Sequence, residues 1–113
     1  MHGGRHFSER GDWLVVEISG DLDLATAPAL RQEVLAQLSG GHRKIVVDLT
    51  ETEFIDSVGL GLLVAVLKRV RVLDGHLAIV CPDTRLRRLF AVTDLDRVFE
   101  LYDTADAAID AAG

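Results

Sequence analysis

The stretch KIVVDL, from Lys44 to Leu49, indicates the fold class more directly than any other part of this sequence. It is short and almost continuously apolar, which is typical of a strand whose two faces are both buried in a parallel sheet. Parallel strands need crossover connections, and these are usually helices. The sequence on either side of this run should therefore alternate between strand and helix.

A strand and a hairpin are predicted toward the N-terminus. The run WLVVEI at Trp13–Ile18 is apolar and rich in β-formers, and it lies between turn signals at Gly11-Asp12 and Gly20-Asp21. Arg5–Glu9 is predicted to pair with it as a short antiparallel strand, with Gly11-Asp12 as the hairpin turn.

A helix is predicted between this hairpin and the central strand. Thr26 is a suitable cap, Pro28 suits the first turn, and Gly40-Gly41 is a stop signal. The apolar residues that repeat at helical spacing are Leu30, Val34, Leu35 and Leu38.

The same alternation is predicted toward the C-terminus. Thr50–Ile55 is interpreted as a connector, and a largely buried helix should run from Ser57 to Leu73. The remaining predicted elements are a strand at His76–Val80, a helix at Thr84–Ala91, a strand at Val98–Tyr102 and a helix at Thr104–Ala112 capped by Thr104. Together they predict an α/β fold with a mixed, mostly parallel sheet of four to five strands and about four helices packed on it.

Length and composition indicate one folded domain. The chain has 113 residues, of which 49% are hydrophobic and 27% are charged. We expect a single domain over residues 1–113, ordered over about 5–112.

Charge and hydropathy disfavour several classes of partner. The net charge of −6 argues against nucleic acid, whose phosphates require a basic surface. The longest apolar stretch, Val58–Leu67, is too short to span a bilayer, and no signal peptide is recognisable, so we predict no membrane association and a cytoplasmic location. Cys81, the only cysteine, excludes an internal disulfide and any multi-cysteine metal site, and is interpreted as a packing residue.

The segment FIDSVGLG, from Phe54 to Gly61, is the candidate functional site. It joins a buried strand to a buried helix, at the sheet edge where sites of α/β proteins gather. Asp56 is placed to cap the helix, and Ser57 then lies in its first turn, where free N–H groups and the helix dipole favour an anion. A phosphate on Ser57 would add a charge of about −1.5 to −2 beside Asp56 and change the surface that a partner meets.

Two glycines occur in the first turns of this helix, although glycine disfavours helix formation, so their presence requires an explanation. Gly59 and Gly61 each lower helix stability by about 1 kcal/mol relative to alanine, which suggests that something approaches the backbone closely. The alternative is that Asp56 and Ser57 only cap the helix, and that the glycines let it lie close to the sheet.

A catalytic serine is disfavoured. Ile55 and Asp56 precede Ser57, so the segment does not match the Gly-x-Ser-x-Gly elbow of hydrolases. Of the histidines, only His76 begins a strand that could lie near Ser57; the others are His2, His6 and His42. We therefore predict a protein that is not an enzyme and holds no cofactor or metal.

These residues carry a resemblance to a known family. DSVGLG at Asp56–Gly61 resembles the Asp-Ser-Ser/Thr-Gly-Leu-Gly motif of bacterial anti-sigma factor antagonists, which are stand-alone STAS domains. Further similarity, in the same order and over nearly the whole chain, lies in Gly20–Asp23 with Thr26-Ala27, in Ile45–Leu49, and in Arg88–Phe90 with Thr93–Leu95.

The resemblance implies a phosphorylation switch. An unmodified antagonist of this family binds an anti-sigma factor and so releases a sigma factor. The anti-sigma factor is often a serine kinase of the histidine-kinase-like ATPase type, which phosphorylates the serine matching Ser57 and ends the complex. A PP2C-type phosphatase resets the switch, and the free antagonist is expected to be a monomer. The residues expected to bind the partner or to lie near the phosphorylated serine are Asp21, Asp23, Asp56, Val58, Gly59, Leu60 and Gly61.

The sequence departs from the family pattern at three positions. Val58 replaces a second hydroxyl residue, Asp21 replaces the commoner glutamate, and Asp94 replaces a glycine, which should alter a turn rather than the site.

Two alternatives remain open. Basic residues at Lys68–Arg71 and Arg85–Arg88 are interpreted as solvated surface, with a partner contact as the alternative. The alternative function is a STAS scaffold subunit of a signalling or lipid-transport complex that is not phosphorylated.

Overall fold

The computed structural model describes residues 4–112 of the chain. The strands are β1 (Gly4–Arg10), β2 (Trp13–Leu22), β3 (Lys44–Asp48), β4 (Thr52–Ile55), β5 (His76–Val80) and β6 (Leu101–Tyr102). The helices are α1 (Ala27–Ser39), α2 (Ser57–Val72), α3 (Thr84–Val92) and α4 (Ala105–Ala112), with a short 3-10 turn at Leu95–Arg97. The predicted fold class is confirmed: residues 4–112 form four helices and a mixed, mostly parallel sheet, which has six strands rather than the four to five predicted.

The central strand of the sheet is β3. The strand order is β1-β2-β3-β5-β6, in which only β1 runs antiparallel to its neighbour, and β4 pairs with the far end of β2. Ile45, Val46 and Val47 are all buried in β3, so side chains pointing to both faces of the sheet are covered. The prediction made from this apolar run is confirmed.

The long strand β2 changes partners along its length. Its first half, Trp13–Glu17, pairs with β3, whereas Gly20–Leu22 pairs in parallel with β4 after a shift of register between Gly20 and Asp21. Gly20 has a φ of +75°, which glycine adopts readily. This bulge separates the end of β2 from the main sheet, and β4 leads directly from there into α2.

The connector predicted at Thr50–Ile55 was therefore wrong in its second part. Thr52–Ile55 is a strand, and the Thr52 hydroxyl donates a hydrogen bond to the Ile18 carbonyl at 2.7 Å. Glu53 and Phe54 are both exposed, so the four residues lack the alternation by which a strand is recognised.

Helices cover the two faces of the sheet unequally. The first three helices pack on the face that carries Leu14, Val16 and Ile45, and α4 packs on the face that carries Val15 and Val46. Cys81 is fully buried in the larger core, and burial raises the pKa of its thiol to about 11, which fits a packing role.

The strand predicted at Val98–Tyr102 is shorter than expected. Only Leu101-Tyr102 pairs with β5, because the Phe99 N–H donates to the Leu95 carbonyl and the Phe99 ring packs edge-on against Phe90 inside the core. The predicted cap of the last helix is confirmed, since the Thr104 hydroxyl accepts a hydrogen bond from the Ala107 N–H.

Replacing Asp94 by glycine is expected to stabilise the domain. Asp94 has a φ of +60°, in the left-handed region that disfavours residues with a Cβ. Asp94→Gly should raise the free energy of unfolding by about 0.5–1 kcal/mol, and the melting temperature by roughly 2–4 °C. Thermal unfolding followed by circular dichroism measures this. Asp96→Gly, at an exposed position of the same turn with negative φ, should not stabilise; an equal gain in both variants would contradict the argument.

Candidate functional site

The candidate site is built where α2 begins beside the end of β2. The Asp56 N–H donates to the Leu22 carbonyl at 3.2 Å, and Gly59 lies directly against the same peptide. A Cβ on residue 59 would come within 2.2 Å of the Leu22 carbonyl oxygen, which no real side chain tolerates. Gly59 thus allows the first turn of α2 to pack against the backbone of β2.

The carboxylate of Asp56 connects α2 to the loop that follows β2. Its Oδ1 accepts a hydrogen bond from the Gly59 N–H at 2.9 Å, so the predicted helix cap is confirmed. Its Oδ2 accepts from the Leu24 N–H at 3.0 Å. These backbone donors, Gly59 first, hold the pKa of Asp56 below its ordinary value.

The domain is therefore expected to lose stability in acid partly through Asp56. A carboxylate whose pKa is lowered by folding stabilises the native state above its unfolded pKa, about 3.9, and ceases to do so as the pH falls through the lower native value. Asp56→Asn keeps one acceptor for two N–H groups, so it should lower stability at pH 7 and flatten the fall in stability below about pH 4. Urea unfolding between pH 3 and pH 7 tests this; parallel pH profiles of variant and wild type would contradict it.

The loop before α1 is ordered by Asp23 rather than by a threonine cap. Asp23 Oδ1 accepts hydrogen bonds from the N–H groups of Ala25 and Thr26 at 3.0 and 3.1 Å. Thr26 occupies the predicted N-cap position of α1 but makes no side-chain cap hydrogen bond, because its hydroxyl donates to the Asp21 carbonyl at 2.9 Å and accepts from the Asp23 N–H at 3.0 Å. Asp21 lies opposite Phe54 in the β2–β4 pairing, so both acidic residues lie beside the start of α2, as predicted.

Ser57 is the first residue of α2, and its side chain is exposed. Three apolar residues near it in the fold are also exposed: Leu24 at 69%, Phe54 at 50% and Val58 at 38%. We refer to Leu24, Phe54, Ser57 and Val58 as the Ser57 surface. Sequence reasoning named Val58 but missed Leu24 and Phe54, since nothing in the sequence distinguishes an exposed apolar side chain from a core one.

The four residues after Ser57 divide between the surface and the interior, as expected for a helix with one buried side. Val58 and Gly61 are exposed, whereas Gly59 and Leu60 face inward and are buried. A Cβ on Gly61 would meet nothing within 4 Å, so the two glycines have different environments. The close approach to the helix backbone occurs at Gly59 and comes from β2 of the same domain. For Gly59, but not for Gly61, this agrees with the alternative interpretation that glycine lets the helix lie close to the sheet.

The histidines of the described chain do not assemble with Ser57 into a catalytic pair. His76 begins β5 and His42 precedes β3, so both lie at the opposite edge of the sheet from Ser57. His6 is in β1, and His2 lies outside the described residues. Within residues 4–112, no hydrogen bond is recorded for the Ser57 hydroxyl.

Residues 4–112 contain neither a candidate metal centre nor a candidate membrane-spanning helix. No group of three or more histidine, cysteine, aspartate or glutamate side chains is arranged to hold a metal ion. Among the helices described, none combines the length and the apolar character needed to cross a membrane.

Comparison with known proteins places the chain in a family. Residues 6–108 match the STAS domain. The anti-sigma-B factor antagonist of Staphylococcus aureus (strain NCTC 8325 / PS 47) is 38% identical over 80 residues, which are 71% of this chain and 74% of that protein.

Solved structures agree with this assignment. The crystal structure of an anti-sigma factor antagonist from Mycobacterium paratuberculosis has a TM-score of 0.84 and 34% identity, over 97% of this chain and 93% of that one. The unphosphorylated form of the anti-sigma factor antagonist SpoIIAA shares the fold, with a TM-score of 0.76 and 20% identity over 96% of this chain and 97% of that one. The chain belongs to the STAS domain family, and the anti-sigma factor antagonists of Staphylococcus aureus and Mycobacterium paratuberculosis are among its relatives at 30% identity or more.

Proposed function

We propose that this protein is an anti-sigma factor antagonist whose Ser57 surface binds an anti-sigma factor, and that phosphorylation of Ser57 ends this binding. The observation that carries the proposal is the position of Ser57: an exposed hydroxyl at the start of a helix, among three exposed apolar side chains. The names of its relatives support the same function.

The apolar residues of the Ser57 surface suit protein binding. Scattered exposed apolar residues are ordinary, but Leu24, Phe54 and Val58 come from three segments that the fold brings to one edge of the sheet. Grouped apolar exposure of this kind is typical of a docking site. Phe54 supplies the largest side chain and is therefore the best candidate for a contact that contributes strongly to affinity.

The charges around Ser57 suit a switch. A phosphoserine in the first turn of α2 is compatible with the helix dipole, so the fold should tolerate it. Asp21, Asp23 and Asp56 already lie around the start of α2, so a dianion would raise the negative charge of a surface that a partner must desolvate. The kinase would be an anti-sigma factor of the histidine-kinase-like ATPase type and the phosphatase a PP2C-type enzyme, as the family resemblance implies.

A capture experiment with three baits tests the proposal. Wild-type protein, Ser57→Ala and Ser57→Asp are used as baits in host lysate, and the eluates are identified by mass spectrometry. Wild type and Ser57→Ala should capture an anti-sigma factor, and Ser57→Asp should lose it, because only the last variant adds negative charge.

Other results would overturn parts of the proposal. Equal capture of the same anti-sigma factor by all three baits would leave Ser57 as a structural residue at the helix start. Capture of a transporter subunit by all three would favour the scaffold function instead.

A further inference from the structure

The exposed side of α2 forms a continuous stripe that leads away from Ser57. Gly61, Ala65, Lys68 and Val72 follow Ser57 at intervals of three or four residues, which places all of them on one side of the helix. At a rise of 1.5 Å per residue, the stripe is roughly 22 Å long. Val72, at its far end, is 72% exposed.

This stripe borders a shallow groove between α1 and α2, which we call the α1–α2 groove. The groove has a volume of about 450 Å³. Its apolar lining comes from Leu35 of α1 and from Gly61, Val64, Ala65 and Val72 of α2. The groove therefore begins at Gly61, about one helical turn from Ser57.

Gly61 has no structural reason to be glycine within the domain itself. Glycine in a helix interior is less favourable than alanine by about 1 kcal/mol. Gly59 is required by the contact with β2, but a Cβ on Gly61 would meet open space for at least 4 Å. A bound backbone that approaches α2 at Gly61 would explain the residue, because two helices pack most closely where the side chains between them are smallest.

The groove is positively charged although the chain is not. Arg31, Lys68 and Arg69 line it, and no acidic residue does. Within residues 4–112, none of the three has a carboxylate within 4 Å. The net charge of the chain is −6, so this surface is opposite in sign to the protein as a whole and complementary to an acidic ligand.

We infer that the α1–α2 groove binds an acidic amphipathic helix of the anti-sigma factor, with Gly61 as the point of closest approach. The apolar side of that helix would lie on Leu35, Val64 and Ala65, and its carboxylates would meet the three cations. The inference rests on the proposed function and extends it, because the partner would contact both the phosphorylation site and a second surface along α2.

Binding measurements with the purified anti-sigma factor test the groove separately from Ser57. The double variant Lys68→Glu, Arg69→Glu should weaken the complex at least tenfold and reduce its dependence on salt. Gly61→Leu should also weaken it at least tenfold, because the side chain would occupy the groove, and its Cβ would meet no atom of the domain within 4 Å. Arg97→Glu, in the exposed 3-10 turn and outside both basic patches, is the charge control and should change Kd less than threefold.

A photo-crosslinking residue at position 65, in place of Ala65, identifies the ligand. Crosslinks to an acidic helix of the anti-sigma factor would support the inference. Crosslinks to a second copy of this chain, to a segment that is not acidic, or to nothing would overturn it.

The two proposals fail in different ways. If Ser57→Asp abolishes binding while the groove variants bind as wild type does, only the groove inference is wrong. If Ser57→Asp binds as wild type does and the groove variants do not, the groove inference stands and the switch at Ser57 is wrong. If the wild type does not bind an anti-sigma factor at all, both are wrong. Melting temperatures of all variants, expected within about 3 °C of wild type, show that a loss of binding is not a loss of folding.

Discussion

Full phosphorylation of Ser57 should weaken the complex with the anti-sigma factor at least a hundredfold without lowering the melting temperature of the domain. A hundredfold change in Kd corresponds to about 2.8 kcal/mol. Burying a dianion among Leu24, Phe54 and Val58 requires desolvation that typically amounts to several kcal/mol, and a hundredfold loss is therefore a conservative expectation.

Phosphorylation should not lower the stability of the domain, although it should lower the affinity for the anti-sigma factor. The phosphate would lie at the N-terminal end of α2, where the helix dipole favours an anion. We therefore expect a melting temperature that is unchanged or slightly higher. Phosphorylation would then change the binding surface and leave the stability of the fold intact.

Phosphoserine incorporated at position 57 during translation allows both quantities to be measured on uniform material, by calorimetric titration and by thermal unfolding. Ser57→Ala is the control and should bind as wild type does. A phosphorylated protein that binds within threefold of wild type would remove Ser57 from the interface. One that melts well below wild type would show that phosphorylation acts by unfolding.

Among substitutions of glycine by alanine at the site, Gly59→Ala should lower the stability of the domain most. The new Cβ would lie 2.2 Å from the Leu22 carbonyl oxygen and 3.0 Å from the Leu22 carbonyl carbon, so backbone must move rather than a flexible side chain. Overpacking of this kind lowers stability by about 1–3 kcal/mol or more, and the gain in helix propensity offsets only about 1 kcal/mol. Because a contact of 2.2 Å with backbone lies at the severe end of this range, we expect a net loss of about 2 kcal/mol and a fall in melting temperature of roughly 8 °C.

Gly61→Ala is the matched control for this prediction. It adds the same methyl group to the same helix two residues later, where nothing lies within 4 Å. It should therefore raise stability by up to about 1 kcal/mol. Urea unfolding of the two variants side by side measures the difference, and a similar change in both would show that helix propensity, rather than the contact with β2, governs this turn.

Most of the fold could be predicted because local pattern and global structure agree. The apolar run at Ile45–Val47 is buried on both faces, and the spacing of Leu30, Val34 and Leu38 matches the buried side of α1. β4 could not be predicted, since its four residues pair with β2 across a bulge and Phe54 is exposed. The pairing of β4 with β2 depends on tertiary structure, which no local sequence pattern encodes.

The candidate site was predictable in position but not in extent. Asp56 and Ser57 were recognisable as a helix start, and the family resemblance implied that Asp21 and Asp23 lie nearby. The exposure of Leu24 and Phe54 was not predictable, because it depends on which side of the β2–β4 ribbon is covered. Likewise, only the structure separates Gly59, which contacts β2, from Gly61, which contacts nothing.

The hydrogen bond from the Leu24 N–H to Asp56 joins two segments that are 32 positions apart in the chain. The Ser57 surface therefore forms only when β2, β4 and α2 have packed together in the folded domain. A short peptide containing Ser57 would carry the hydroxyl but not Leu24 or the acidic loop. A kinase that reads this surface would recognise finished protein and pass over nascent or damaged copies, so that only intact molecules take part in the signal.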